Sequence, residues 1–172
     1  MKNGFVVLGL LALGGCSDGL GWAAVEGMIE AEYPDTPVLT TDSLAARLAS
    51  NAPPPVLLDV RTADEFAVSH LAGARRVEPG TDELPEAVAA LPRDTPIVAY
   101  CSVGMRSAGL VQRLRAEGFT NVRNLDGSIF RWANEGRMVV RGNSVVRAVH
   151  PYNRTWGQLL DAEYRAYAPE SQ

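Results

Sequence analysis

Cys101 is followed by Ser102, Val103, Gly104, Met105, Arg106 and Ser107, a run with the residue types of a thiolate centre. It joins an apolar run, residues 96–100, to a segment from Ser107 to Glu117 whose pattern predicts a helix ended by Gly118. The first N–H groups of a helix have no partner inside it, and the helix dipole is positive there. A loop curling over such a start aims several N–H groups inward and makes an anion nest. A cysteine at the mouth of that nest is expected to have a lowered pKa and to be a thiolate. Gly104 lets the backbone approach closely or take positive φ, and Arg106 adds a full positive charge. On these residues alone, a buried structural cysteine remains the competing reading.

Asp59 and Arg61 end a second apolar run, Val56 to Val60. Asp59 is expected to pair with a loop arginine and order the site, or to be a structural carboxylate at a strand end. Arg61 is expected either to steer an anionic substrate or to form a structural ion pair. His70 is expected to hydrogen-bond backbone in a turn, and His150 to be structural. No Cys/His cluster has metal-ligand spacing, and no G-x-x-x-x-G-K run is present. No metal or other cofactor is expected.

These residues need elements to hold them. Val38-Leu39 predicts a short strand and Ser43 to Ser50 a helix, broken by Pro53-Pro54-Pro55. Val56 to Val60 is continuously apolar, as a strand covered on both faces would be. Thr62-Ala63-Asp64-Glu65 has capping-box spacing and opens a helix through Val68. Ala74 to Val77 predicts a strand, Glu83 to Leu91 a helix, and Pro96 to Tyr100 the second buried strand. Asn121 to Leu125 predicts another strand, and Ile129 to Glu135 a helix stopped by Gly136. Strands alternating with short helices indicate a parallel α/β domain, an open sheet with helices on both faces. Right-handed crossovers bring the carboxyl ends of the strands ending at Val60 and Tyr100 to one edge. Ligands of open α/β sheets bind outside such ends, where Arg61 and Cys101 follow directly.

Asp59-Val60-Arg61, Glu65-Phe66 and His70-Leu71-Ala72-Gly73-Ala74 resemble the amino-terminal signature of rhodanese domains. Cys101-x-x-Gly104-x-Arg106-Ser107 resembles their active-site loop, and Gly127, Trp132 and Gly136 their closing segment. The resemblance covers residues 38–142 and implies a rhodanese-like fold. Ser69 and Ala72 stand where the family often has Gly and Pro, and Ser128 where a second Gly is common. These departures are expected to affect local turns and not chemistry. The resemblance implies a sulfurtransferase. A sulfane-sulfur donor, such as thiosulfate or a persulfide, would load Cys101, and a thiol or cyanide acceptor would unload it. Ser102, Val103, Gly104, Met105, Arg106 and Ser107 would hold the sulfur, with Arg61 steering an anionic donor. Four residues separate Cys101 from Arg106. Cysteine phosphatases, including those on a rhodanese fold, have one more, which wraps a tetrahedral phosphate or arsenate; the shorter loop fits a sulfur atom. A non-catalytic binding or sulfur-sensing module on the same fold is the alternative. Thiol–disulfide exchange would want a resolving cysteine.

The chain begins with Met1-Lys2-Asn3 and an uncharged, mostly apolar run, Gly4 to Gly15. About 20 apolar residues are needed to span a bilayer, so this run has signal-peptide proportions. Leu13-Gly14-Gly15-Cys16 resembles the lipobox of bacterial lipoproteins. That implies cleavage before Cys16, acylation of Cys16, and an envelope-facing, periplasmic domain held on a membrane; a plain secretory signal is the competing reading. Ser17, where aspartate would resemble an inner-membrane retention signal, points to the outer membrane. Residues 1–15 are therefore assigned to the signal peptide and 16–37 to a tether and helix. That helix places Trp22, Val25, Ile29 and Tyr33 on one face and Glu26 and Glu30 on the other. Basic residues would suit a membrane surface, so the helix is expected to lie on the domain. Residues 143–172 form an extension. There Thr155-x-x-Gln158 has capping-box spacing, and Trp156, Leu159, Leu160, Tyr164 and Tyr167 predict one amphipathic helix that closes the domain or docks a partner. Of the 172 residues, 47% are hydrophobic and the net charge is -4. No Lys/Arg run exists, which argues against nucleic-acid binding. A monomer is expected.

Overall fold

Five parallel strands form the central sheet in a computed structural model that describes residues 18–80 and 84–169. They are β1 (Val38–Leu39), β2 (Val56–Asp59), β3 (Arg75–Arg76), β4 (Ile97–Tyr100) and β5 (Val122–Leu125), in the order β1-β5-β4-β2-β3. The helices are α1 (Asp18–Glu32), α2 (Thr41–Leu48), α3 (Ala63–Val68), α4 (Glu86–Ala89), α5 (Met105–Ala116) and α6 (Ser128–Asn134). The two central strands are apolar at successive residues because both faces are covered. Leu57, Val98, Tyr100 and Leu125 pack with Val25 of α1, Leu44 of α2, and Ile129 and Phe130 of α6. Leu58, Ile97, Ala99 and Val122 pack with Val88 of α4 and Leu110, Val111 and Leu114 of α5. The expected α/β architecture is thus present.

Register sets the site. Asp59 stands opposite Tyr100, and the Val60 N–H donates to the Tyr100 carbonyl at 2.8 Å. Arg61 and Cys101 therefore emerge side by side at the carboxyl edge of the sheet. The capping box of α3 is formed: the Glu65 N–H donates to Thr62 Oγ1, and the Thr62 N–H to the Glu65 side chain. The helix after Cys101 starts at Met105, two residues before the expected Ser107. Gly104 takes φ 113° as its N-cap and turns the chain at once into the helix. Arg106 and Ser107 consequently lie in the first helical turn. Only Ser102, Val103 and Gly104 form the loop.

The helix α1 lies on the domain, as its acidic outer face suggested, with Trp22, Val25 and Ile29 in the larger core. The chain beyond α6 differs from expectation. Residues 139–146 form a hairpin, β6 (Val139–Arg141) and β7 (Ser144–Val146), turning at Gly142 with φ 57°. Its Val140 exchanges backbone hydrogen bonds with His70. The amphipathic helix expected from Thr155 is replaced by two 3-10 turns, Trp156–Leu159 and Ala162–Tyr164. Thr155 sits in helical dihedrals and makes no side-chain cap. Asn153 Oδ1 accepts the Trp156 N–H instead, at 3.0 Å. Asn134 then fastens the extension to α6, donating to the Leu159 carbonyl at 2.8 Å and accepting from the Asp161 N–H at 2.9 Å. Leu160 and Tyr164 are buried by this path. No described helix is long and apolar enough to cross a membrane. Cys16 and the signal-peptide assignment lie outside the described residues.

Candidate active site

Cys101 lies at the foot of a small cleft and is 1% exposed. Its loop is held by the start of α6. The N–H groups of Ile129 and Phe130 donate to the carbonyls of Cys101 and Ser102 at 3.2 and 3.1 Å. With these carbonyls turned away, the Gly104 N–H donates to Cys101 Sγ at 3.2 Å. Gly104 is required twice over. Its φ is in the left-handed region, and a Cβ there would stand 3.1 Å from Ile29 Cδ1 and 3.4 Å from Asn124 Nδ2. Asn124 Nδ2 donates to the Gly104 carbonyl at 3.0 Å, and Ser107 Oγ donates to Asn124 Oδ1 at 2.7 Å. Burial raises the pKa of the Cys101 thiol, but the Arg106 charge and hydrogen bonds from Ser107 and Gly104 outweigh it. The net shift is downward.

Arg106 is not a loose cation. Its guanidinium makes a fork onto Glu65, at 2.9 Å to Oε2 and 2.7 Å to Oε1. Ser102 Oγ donates to Glu65 Oε1 at 2.9 Å, and Thr62 Oγ1 donates to Oε2 at 2.9 Å. Burial pushes the Glu65 carboxyl up, but Arg106, Thr62 and Ser102 together hold it at about 2. The open face of the Arg106 guanidinium lies under the Tyr152 ring, 4.8 Å from its centre.

Asp59 and Arg61 form a separate, sealed pair. Arg61 Nε and Nη2 donate to Asp59 Oδ1 and Oδ2 at 2.8 and 2.7 Å, and both side chains are 0% exposed. Nη2 also donates to the Ser69 carbonyl at 2.6 Å. Asp59 thus pairs with Arg61 and not with the loop arginine, whose partner is Glu65. Arg61 lies behind the cleft wall, so of its two expected roles the structural ion pair is the one present, and not the steering of an anionic donor. Burial lowers the Arg61 pKa and Asp59 raises it further, so the guanidinium stays charged.

Ser102, Val103, Met105 and Arg106 line the cleft beside Cys101, which encloses about 120 Å³. Gly104 and Ser107 shape it from behind. Its remaining wall is Tyr152 and Trp156, both from the extension. Ser128 bears on the cysteine directly, contrary to the expectation that its departure concerned only a turn. Its Oγ accepts the Cys101 N–H at 3.1 Å and donates to the Leu125 carbonyl at 3.2 Å, with φ 51°. His70 does meet backbone: Nδ1 is 3.1 Å from the Phe66 carbonyl, and its ring stacks on Phe66. His150 accepts the Tyr152 N–H on Nδ1 at 3.0 Å. Glu65, Asn124, Ser128, Tyr152 and Trp156 are site residues to which the sequence reading gives no role in the site. Glu65 carries a signal through its capping spacing and its place beside Phe66 in the family signature, Ser128 as a departure from that family's pattern, and Asn124 as an amide inside a predicted strand, where asparagine is disfavoured.

A family model described as the rhodanese-like domain matches residues 40–135. A sulfurtransferase of Allochromatium vinosum is 31% identical over 102 residues, 59% of this chain and 92% of its own. A probable adenylyltransferase/sulfurtransferase of Mycobacterium tuberculosis is 34% identical over 79 residues, 46% of this chain. The chain spans only 20% of that protein's length. A crystal structure of a thiosulfate sulfurtransferase from Pseudomonas aeruginosa superposes with TM-score 0.59 and 26% identity, over 79% of this chain and 26% of that one. Tyr152 and Trp156 lie beyond the stretch that the family model matches.

Proposed function

We propose that the chain, which belongs to the rhodanese-like domain family, is a sulfurtransferase that carries sulfane sulfur on Cys101. The observation that carries this reading is the Gly104 N–H aimed at Cys101 Sγ beside a fixed guanidinium. This arrangement favours a thiolate without any general base. The thiolate attacks the sulfane sulfur of thiosulfate or of a persulfide. The S–S bond of the donor breaks, and sulfite or a thiolate leaves with the electron pair. The Cys101 persulfide then holds its outer sulfur against the loop, where backbone N–H groups and the α5 start favour negative charge. An acceptor thiolate or cyanide attacks that outer sulfur and releases the Cys101 thiolate. This is two-step covalent catalysis. Ser102, Val103, Met105, Arg106 and Ser107 form the cradle; Asp59 and Arg61 keep the strand ends in place behind it.

We further propose that Cys16 carries a lipid anchor and that the domain faces the periplasm. The support is the Leu13-Gly14-Gly15-Cys16 run, and labelled fatty acid should be incorporated by the natural chain but not by Cys16→Ser. The catalytic proposal is tested by intact mass. Incubation of the chain with thiosulfate or a low-molecular-weight persulfide should add one sulfur atom that cyanide or a thiol removes. Cys101→Ser should show no such gain. Absence of the gain with both donors would favour the binding-module reading.

A further inference from the structure

From the charge and the walls of the cleft, and resting on the sulfurtransferase reading, we infer that its sulfur donor is an organic persulfide with an apolar group, seated against Tyr152 and Trp156, and not the thiosulfate dianion. A dianion needs uncompensated positive charge where it binds. Arg106 is the one cation on the cleft wall among the described residues, and both arms of its fork are taken by Glu65. Counted over side-chain charges that pair is neutral, so the ionised Cys101 thiolate, which already takes up the loop N–H groups, makes the side-chain charge of the cleft net negative. Arg61 is neutralised by Asp59 and sealed off. His150 lies within electrostatic reach of Glu65, Asp64 and Arg106 and is held below the ordinary histidine range by burial, so it adds no charge at neutral pH. Arg154 is exposed and not part of the wall.

The remaining wall is apolar. Val103, Met105, Tyr152 and Trp156 offer mostly apolar surface that suits a hydrocarbon or aromatic group, and none of them carries a charge to balance a sulfonate. Tyr152 adopts φ 62°, a region that bulky residues rarely occupy. Its N–H bond to His150 and its stacking on Arg106 hold it there. Backbone strain of this kind collects at ligand clamps. In the inferred step, the Cys101 thiolate attacks the outer sulfur of R–S–SH. The S–S bond of the donor breaks, the thiolate RS⁻ leaves with the electron pair, and Cys101–S–SH remains.

The test uses the full chain under anaerobic conditions, with benzyl hydropersulfide and thiosulfate as donors. The rate of sulfur gain at Cys101 is read by mass, with Cys101→Ser as the blank. Selectivity is the ratio of the two loading rates, divided by the same ratio for free cysteine. We expect a corrected selectivity of at least about tenfold for the persulfide. Trp156→Ala should reduce it about fivefold or more. Tyr152→Gly, which suits the positive φ and so should fold, should reduce it likewise. Glu65→Gln exposes the Arg106 charge and should shift selectivity toward thiosulfate by about tenfold. A corrected selectivity of one or less, or selectivity unchanged in both aromatic variants, would overturn the inference while leaving the sulfurtransferase reading intact. Loading from neither donor would remove both.

Discussion

Replacing Glu65 with alanine should destabilise the protein by about 3 kcal/mol at pH 6, and the loss should shrink in acid. Two routes give this magnitude. The carboxyl is held at about 2 against an ordinary value of 4.5. Each tenfold change in proton affinity corresponds to about 1.4 kcal/mol, which sets an upper value of about 3.5 kcal/mol. The contacts give a similar figure. A capping interaction contributes about 1 kcal/mol, and hydrogen bonds to a charged group about 1.5–3 kcal/mol each, without simple additivity. The Arg106 side chain is 24% exposed, so water recovers part of what the variant loses. The sign with pH follows from the depressed pKa. The stabilisation is fully present above about 4.5 and is lost as pH falls toward 2. Between pH 6 and pH 3.5 the gap between wild type and Glu65→Ala should narrow by about 1 kcal/mol. Urea unfolding followed by tryptophan fluorescence at both pH values measures it. A gap below about 1 kcal/mol at pH 6, or one that stays flat into acid, would refute the assignment of Glu65 as the anchor of the loop.

Asp59→Asn should be at least as damaging, by about 3–5 kcal/mol, because it leaves the Arg61 charge buried without its partner; thermal unfolding reads this, and a variant as stable as wild type would contradict it. Gly104→Ala should destabilise by about 1–3 kcal/mol and abolish sulfur gain at Cys101, since a Cβ strains φ 113° and meets Ile29; retained loading would show that the loop tolerates another shape. The lowered Cys101 pKa predicts that alkylation by iodoacetamide persists to lower pH than for an ordinary thiol. The rate should fall only as pH drops through the lowered value, and a pH–rate midpoint equal to that of free cysteine would count against thiolate stabilisation.

The sheet is legible in the sequence because its signals are local. Val56 to Val60 and Pro96 to Tyr100 are short, apolar apart from Asp59, and begin at or just after a proline, so strand type and burial on both faces follow together. The capping box at Thr62 and Glu65 is equally local. Its second use is not: Glu65 meets Arg106 and Ser102 across 41 and 37 residues, a pairing that depends on where α3 and α5 cross the sheet edge. The same holds for Asp59. A carboxylate before a buried arginine has two candidate partners, and only the register that buries Arg61 decides between them. Ser128 reads as a turn substitution because its contact with Cys101 spans 27 residues. In the extension, apolar spacing suggests a helix, but the Gln158 N–H that a Thr155 side-chain cap would take bonds the Thr155 carbonyl in a tight 3-10 turn instead. The hairpin at Gly142-Asn143 does carry a local signal, a Gly-Asn turn between valine-rich runs, although no strand was expected there.

The loop of Cys101 is enclosed from two directions by parts of the chain outside the stretch that matches the family. Behind it stands Ile29 of α1, against Gly104; in front stand Tyr152 and Trp156. These two outer parts also meet one another, since a Cβ at Gly21 would touch Leu159. A version trimmed to residues 40–135 would therefore keep the nucleophile and discard its surroundings. Its Cys101 should be more open to solvent and more easily over-oxidised. Displacing α1 would therefore disturb the same bracket of residues that walls the cleft in front of Cys101.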